Sequence, residues 1–377
     1  MTRDMHRVLI VDDSPEVRDI LVEVLEGSYH VCTAADGDEA LNVYGQTRPD
    51  IILLDLHMPM MSGLEVINHI RHRLQDHEIY ILVVTAETSF TTKKDALVSG
   101  ANDYLVKPYH HEELLARIRV GERQIRLRRQ LQLALSSMER EVEMLGQIQQ
   151  RLLPAGDLGL EAFDVQSLFM PSGRASGDFF DYFQHGSHQV RLAMCDVSGH
   201  GARAAFLMGV VRTTIRLSQK TETGLSTLVA QLNAYLDDII GQESDFVSLF
   251  LADVHIRDRT LTYINAGHCP GLLKVDQHQI VPLEATMPVL GVGQLPVRSE
   301  QVLLHAQASL LLFTDGIYEW PTPSGDFLDQ DSFMRMAADV LNEEHPSLDS
   351  LMARLREITD LIRFRDDATA LLIQARL

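Results

Sequence analysis

The hydrophobic pattern along the first hundred residues alternates between two periods. Short aliphatic and β-branched runs, "RVLIVDD" from Arg7, "HVCTAA" from His30, "DIILLDL" from Asp50, "YILVVTA" from Tyr80 and "DYLVKP" from Asp103, are separated by amphipathic stretches of helical spacing. Near-continuous apolar strands alternating with helices predict a doubly wound parallel α/β sheet over residues 1–120. The strand pattern then stops. From Glu112 to Leu152 there is no proline, and only Gly121 and Gly146 interrupt a helical reading. Leu131, Leu135, Met138, Val142, Leu145 and Leu152 keep the 4-3 spacing of a coiled-coil seam, with Gln149 in the missing place beside Ile148. Carried backward, the seam meets Arg128, Gln124 and Gly121, so its phase breaks between Ile125 and Leu131. This predicts a helical coiled-coil linker over 121–153.

Beyond "LLPAG" the strands lengthen: "VRLAMCD", "FVSLFLADVH", "TLTYINAGH", "GLLKVD", "SLLLFTDG" and "ATALLIQA". Two helical stretches, "ARAAFLMGVVRTTIRLS" and "LSTLVAQLNAYLDDII", stand among them. The expectation for 154–377 is an α+β domain, mostly antiparallel and flanked by helices.

Charge narrows the function classes. A formal net charge of −20 on 377 residues disfavours nucleic acid and anionic membrane surfaces, both of which reward basic patches. The arginines from Arg117 to Arg129 read as a solvated helix face. Cys32, Cys195 and Cys269 are odd in number and widely spaced, as reduced thiols are. The start, "MTRDMHRVLIVDDS", has no signal-peptide core, and no apolar run approaches the roughly 20 residues of a membrane span. A soluble, cytoplasmic protein is expected.

The strand ends carry chemistry. Asp12 and Asp13 follow the first strand, Asp55 the third, Thr85 the fourth and Lys107 the fifth. In open α/β sheets ligands bind just outside these ends. The three aspartates suit Mg²⁺, leaving Asp55 as a carboxylate nucleophile, while Thr85 and Lys107 suit phosphoryl oxygens. On "DD", "DLHMPMMSG", "VVTA" and "YLVKP" the segment resembles the response-regulator receiver family. That resemblance implies a sensor histidine kinase or phosphotransfer protein as donor and phosphorylation at Asp55. It further implies a Thr85 and Tyr104 switch and the backbone carbonyl of His57 as a further Mg²⁺ ligand.

Further acids recur in the last segment: Asp178 and Asp181 in "ASGDFFDY", Asp196 in "AMCDVSGHG", Asp315 in "LLLFTDGIYE", Asp366 and Asp367 in "RFRDDATALLIQ". Singly, each reads as a helix or turn cap. Jointly, separated acids beside glycines and strand ends make an all-oxygen site for Mg²⁺ or Mn²⁺.

The strings "SGDFFDYF", "CDVSGHGARAAFLM", "NAGHCPGLL", "FTDGIYE" and "RDDATALLI" resemble the SpoIIE-like branch of the PPM metal-dependent serine/threonine protein phosphatases. The resemblance runs from about Gln147, at "QIQQRLLP", to Leu377. It implies an antiparallel β-sandwich flanked by helices. It implies two Mn²⁺ or Mg²⁺ held by Asp178, Asp196, the backbone carbonyl of Val197, Asp315 and Asp366, and attack on phosphorus by an activated water. The implied substrate is a phosphorylated anti-sigma-factor antagonist in a partner-switching pathway. The coiled-coil spacing of the linker adds the expectation of a homodimer.

Ser176 and Gly177 depart from the family's usual glycine pair. His200 stands where many members carry lysine and reads as a turn residue, as does His268. Asp181 and Asp367 read as partners of the ligands. The rival readings are a non-catalytic receiver-controlled adaptor with a phosphatase-like fold, which would be expected to lose the acids, and a DNA-binding regulator, for which no basic recognition helix is seen.

Overall fold

The computed structural model describes residues 5–154, 163–186, 188–199, 201–241, 243–275, 279–323, 325–359 and 366–375. Contacts divide the chain into two units, Met1–Ser137 and Met138–Leu377.

The first unit is a parallel sheet of β1 (Arg7–Val11), β2 (His30–Ala34), β3 (Ile51–Leu54), β4 (Tyr80–Thr85) and β5 (Asp103–Val106), in the order β2-β1-β3-β4-β5. The connecting helices are α1 (Pro15–Leu25), α2 (Gly37–Thr47), α3 (Gly63–Asn68) and α4 (Phe90–Val98), and α5 (His111–Leu152) follows β5. Every residue of β3 and β4 is buried, which is why those runs are apolar without alternation. Ile52, Leu54, Ile81 and Val83 pack with Ala40, Tyr44 and Val66 on one face. Ile51, Leu53, Leu82 and Val84 pack with Leu21, Leu25, Leu114, Ile118 and Ile125 on the other. The strand order reverses between β1 and β3, so a crevice opens at their carboxyl ends.

Within this unit α5 does more than its seam pattern predicts. At Gly121 a Cβ would stand 2.7 Å from the Tyr80 ring, so the glycine admits close packing on the sheet. The arginine face is solvated, with Arg119, Arg123, Arg126, Arg128 and Arg129 exposed, and three of its members also find partners: Arg117 pairs with Asp103 at 2.7 Å, Arg128 donates to the His77 carbonyl at 2.7 Å, and Arg129 pairs with Asp50 at 2.6 Å.

The second unit has two five-stranded antiparallel sheets. Its strands are β6 (Phe163–Met170), β7 (Phe179–Gln184), β8 (Gln189–Val197), β9 (Val247–His255), β10 (Thr260–Ala266), β11 (Gly271–Lys274), β12 (Ile280–Leu283), β13 (Glu300–Leu303), β14 (Ser309–Phe313) and β15 (Ala368–Ala375). The orders are β13-β10-β9-β8-β7 and β12-β11-β14-β15-β6. One core joins facing side chains of both sheets, Phe180, Leu192, Met194 and Phe250 from one with Leu273, Leu312, Leu371 and Ile373 from the other. The outer face of the first sheet is covered by α6 (Ala202–Thr221) and α7 (Leu225–Ile240), that of the second by α8 (Gln330–Leu341) and α9 (Leu348–Ile358).

One charged residue interrupts the apolar run of β8. Arg191 is wholly buried, bonds both carboxylate oxygens of Asp253 on β9 at 2.7 and 2.8 Å, and also reaches Ser218. A buried ion pair persists only when its hydrogen bonds are satisfied in this way.

Candidate functional site

In the first unit Asp12, Asp13 and Asp55 offer carboxylate oxygens that all lie within 4.8 Å of one another. Lys107 Nζ reaches Asp12 at 2.6 Å and Asp55 at 2.7 Å. Burial opposes the charge on Lys107, but the two carboxylates outweigh it and raise its pKa. The lysine therefore remains a cation beside Asp55. Thr85 is buried at the end of β4, with its Oγ1 accepting from Glu87 N. The backbone of His57 turns back on Asp55, its N–H donating to Oδ1 at 3.2 Å. A Cβ at Gly63 would lie 2.2 Å from the Asp55 carbonyl, so only glycine permits the loop after Asp55 to close against the strand.

In the second unit a cavity of about 320 Å³ is lined by Asp196, Asp315, Asp366, Ser198, Gly199, Phe246, Ser248, Gly267, His268 and Cys269. Asp196 comes from the end of β8, Asp315 from the turn after β14, and Asp366 from just before β15. Asp178, just before β7, is buried and feels the charge of Asp196. Its Oδ2 accepts hydrogen bonds from Thr314 at 2.7 Å and Thr369 at 2.6 Å. A Cβ at Gly177 would come 2.6 Å from the Val197 carbonyl oxygen, so glycine lets that oxygen approach the Asp178 loop. A larger cleft of about 1070 Å³, lined by Asp164, Lys274, His305 and Asn342 among others, brings together none of these strand-end aspartates.

The electrostatics single out the smaller cavity. Burial, and then the charge of Asp196, push the Asp178 carboxyl well above the usual range, against the hydrogen bonds from the threonines. Burial, and then Asp315 and Asp366, push Asp196 up to about 7. Asp315 is raised as well, by burial and by Asp366. Carboxylates so crowded are high in energy unless a cation neutralises them. An oxygen-only donor set fits hard divalent ions, so the side chains present suit Mg²⁺ or Mn²⁺. Cys269 lines the cavity as a thiol, raised to about 12 by burial and by Asp315.

The remaining acids have other partners. Asp181 is fully buried and pairs with Arg216 and, at 3.4 Å, with Arg212, both on α6. Asp367 accepts from the Ser172 N–H and hydroxyl and from Gly177 N, at 2.8 to 2.9 Å, and so holds the loop that leads to Asp178. His268 is buried in its turn, bonded through Nδ1 to Ser248 at 2.8 Å, and its pKa falls to about 4 through burial. His200 lies outside the described residues.

Thr314, Thr369 and Ser248 take part in the site without having been singled out in the sequence. Each is a lone hydroxyl in an apolar strand environment, a weak signal because threonine is common in strands.

The family model for Stage II sporulation protein E (SpoIIE) matches residues 186–376, and that for the response regulator receiver domain matches residues 8–119. The chain is 45% identical over 114 residues to response regulator MprA of Mycobacterium sp. (strain KMS), covering 30% of this chain and 49% of the relative. It is 43% identical over 114 residues to the probable transcriptional regulator ycf27 of Guillardia theta, covering 30% of this chain and 44% of that one. The chain thus spans about half the length of the curated relatives it matches. The solved SiaA-PP2C domain of Pseudomonas aeruginosa aligns with a TM-score of 0.55 at 20% identity, over 64% of this chain and 98% of that one, a likeness of fold. With a receiver domain ahead of the matched half of its sequence, the chain belongs to the SpoIIE family.

Proposed function

We propose that the protein is a response regulator whose output is a metal-dependent serine/threonine protein phosphatase. The reading of its second unit rests on one observation above the rest. Acids from separate elements crowd one cavity, and burial with mutual repulsion raises the pKa of Asp178, Asp196 and Asp315. A degenerate, non-catalytic adaptor has no reason to retain such a costly arrangement.

In the first unit an Asp55 oxygen attacks the phosphorus of a phosphohistidine donor. The phosphorus–nitrogen bond breaks, the histidine leaves, and Asp55 becomes an acyl phosphate. Lys107, freed from Asp55, pairs with a phosphoryl oxygen, and Thr85 donates its hydroxyl to another. Asp12, Asp13, Asp55 and the His57 carbonyl would hold Mg²⁺. In the second unit Asp178, Asp196, the Val197 carbonyl, Asp315 and Asp366 would hold two Mn²⁺ or Mg²⁺. When bound, the divalent ions neutralise phosphoryl charge in both units and, in the second, acidify a water for attack on phosphorus. Thr314 and Thr369 keep Asp178 oriented, and the glycine turn after Asp196 leaves the approach to the cavity open.

The natural substrate in this reading is a phosphorylated anti-sigma-factor antagonist, and exposed apolar side chains of α5 join two chains as a coiled coil. The test is hydrolysis of an aryl phosphate by the purified chain with Mn²⁺, beside Asp196→Asn. Turnover that needs the metal and falls at least a hundredfold in Asp196→Asn is expected. Equal turnover by both proteins would overturn the reading.

A further inference from the structure

The coiled-coil spacing assigns Gln149 to a seam, where a partner helix would cover it. In the structure its own unit covers it. Gln149 is 5% exposed, and its carboxamide grips both backbone groups of a single residue. Nε2 donates to the Ser176 carbonyl at 2.7 Å, and Oε1 accepts from Ser176 N at 3.0 Å. This is the pairing a neighbouring β-strand would supply, made by one side chain from a helix. The hydroxyl of Ser176 then accepts from Asp178 N at 3.0 Å.

One turn earlier, a Cβ at Gly146 would stand 1.8 Å from the Arg174 carbonyl oxygen. The backbone of α5 therefore lies directly on the 174–176 loop, and any larger residue would push it away. On its other side the loop is fixed to the cavity, because Gly177 N donates to Asp367 and Gly177 abuts the Val197 carbonyl. Between the end of α5 and the backbone of Asp178 there is thus a short chain of directional contacts, made by the Gln149 carboxamide and the Ser176 hydroxyl.

We infer that Gln149 is a positioning residue for the cation site: it ties the Asp178 loop to the register of α5, so that a shift of the helix changes the affinity of the site for its cation. The inference rests on the reading of Asp178 as a ligand. The geometry also sets which replacements fail. Asparagine is one methylene too short to span both contacts. Glutamate accepts from Ser176 N but cannot donate to its carbonyl. Leucine fills the volume and makes neither bond.

The experiment is Mn²⁺ binding to the full chain, followed by electron paramagnetic resonance and read as the portion of bound ion that Asp196→Asn abolishes. Gln149→Leu is expected to weaken that portion about tenfold while reaching the wild-type stoichiometry at saturation. Damage to the fold would instead lower the stoichiometry. Gly146→Ala, which leaves the carboxamide in place but pushes the helix off Arg174, is expected to weaken binding likewise, and it decides the matter if Gln149→Leu does not fold. Wild-type affinity in both variants, with the Asp196-dependent ions still bound, overturns the inference alone. If the wild-type protein shows no Asp196-dependent Mn²⁺ at all, the reading of the acidic cluster falls and the inference falls with it.

Discussion

Asp196 ends a strand that is buried from Val190 through Cys195, and its carboxyl lies in the field of Asp315 and Asp366 and interacts with Asp178. Its folded-state pKa is raised, chiefly by burial and then by its acidic neighbours, up to about 7, against about 3.9 in an unfolded chain. Between these values the folded protein holds a proton that the unfolded protein has lost. The associated stability is full below about pH 4 and disappears as pH rises through about 7. In chelator-treated protein this one group contributes a slope of up to about 1.4 kcal/mol per pH unit, or about 3–5 °C in Tm for a unit of this size. Thermal melts from pH 5 to pH 7 are therefore expected to fall less steeply for Asp196→Asn than for the wild-type chain, and parallel curves would show that Asp196 is not the group responsible. Asp196 and Asp315 stand out in the sequence because each closes an apolar run, and Asp178 and Asp366 because each stands just before a strand. Thr314, Thr369 and Gln149 do not, since hydroxyls in strands and glutamines in helices are ordinary until their partners are known.

Helix α5 shows what periodicity can and cannot say. The spacing predicts a helix and its apolar stripe, and the structure has one of 42 residues. Spacing defines a face but not what covers it. Ile125 is taken by the first unit's own core, and Gly146 and Gln149 are buried within the second. Between them Leu131, Leu135 and Met138 are 61%, 51% and 64% exposed. These three keep the 4-3 spacing and stay exposed among the described residues, so a second copy is the occupant that the proposed coiled coil requires. Burying a leucine contributes about 1.5–3 kcal/mol. Replacing both Leu131 and Leu135 with glutamate should then convert a two-chain species to a single chain in sedimentation equilibrium, while the metal-dependent turnover of each chain persists at high Mn²⁺. A wild-type protein that sediments as one chain at all concentrations would remove the coiled coil from the account. The strand-rich portions were more fully legible than this helix, because a strand buried on both faces leaves its neighbours little choice.

For the whole molecule, the proposed function requires chemistry at Asp55 to reach Asp178, more than a hundred residues later in the chain. The covalent route is α5, held at one end by Leu114, Ile118 and Ile125 and at the other by Gly146 and Gln149. A helix transmits rotation and translation but not a local change of side chain, so what arrives at Ser176 is the helix's register. To move a two-state register substantially, phosphorylation must bias it by a few kcal/mol. Acetyl phosphate is accordingly expected to change the Mn²⁺ concentration for half-maximal turnover several-fold in the wild-type chain, and not at all in Asp55→Ala. Register makes a sharper demand. Each residue added to a helix turns everything beyond it by about 100°. Seven alanines inserted after Leu133, in the exposed stretch, return the far end to within about 20° of its starting face, whereas two turn it by about 200°. The seven-residue insertion should keep the response to acetyl phosphate and the two-residue insertion should lose it, with both proteins still binding Mn²⁺. A response that survives both insertions would mean that the signal reaches the cation site by some path other than the face of α5.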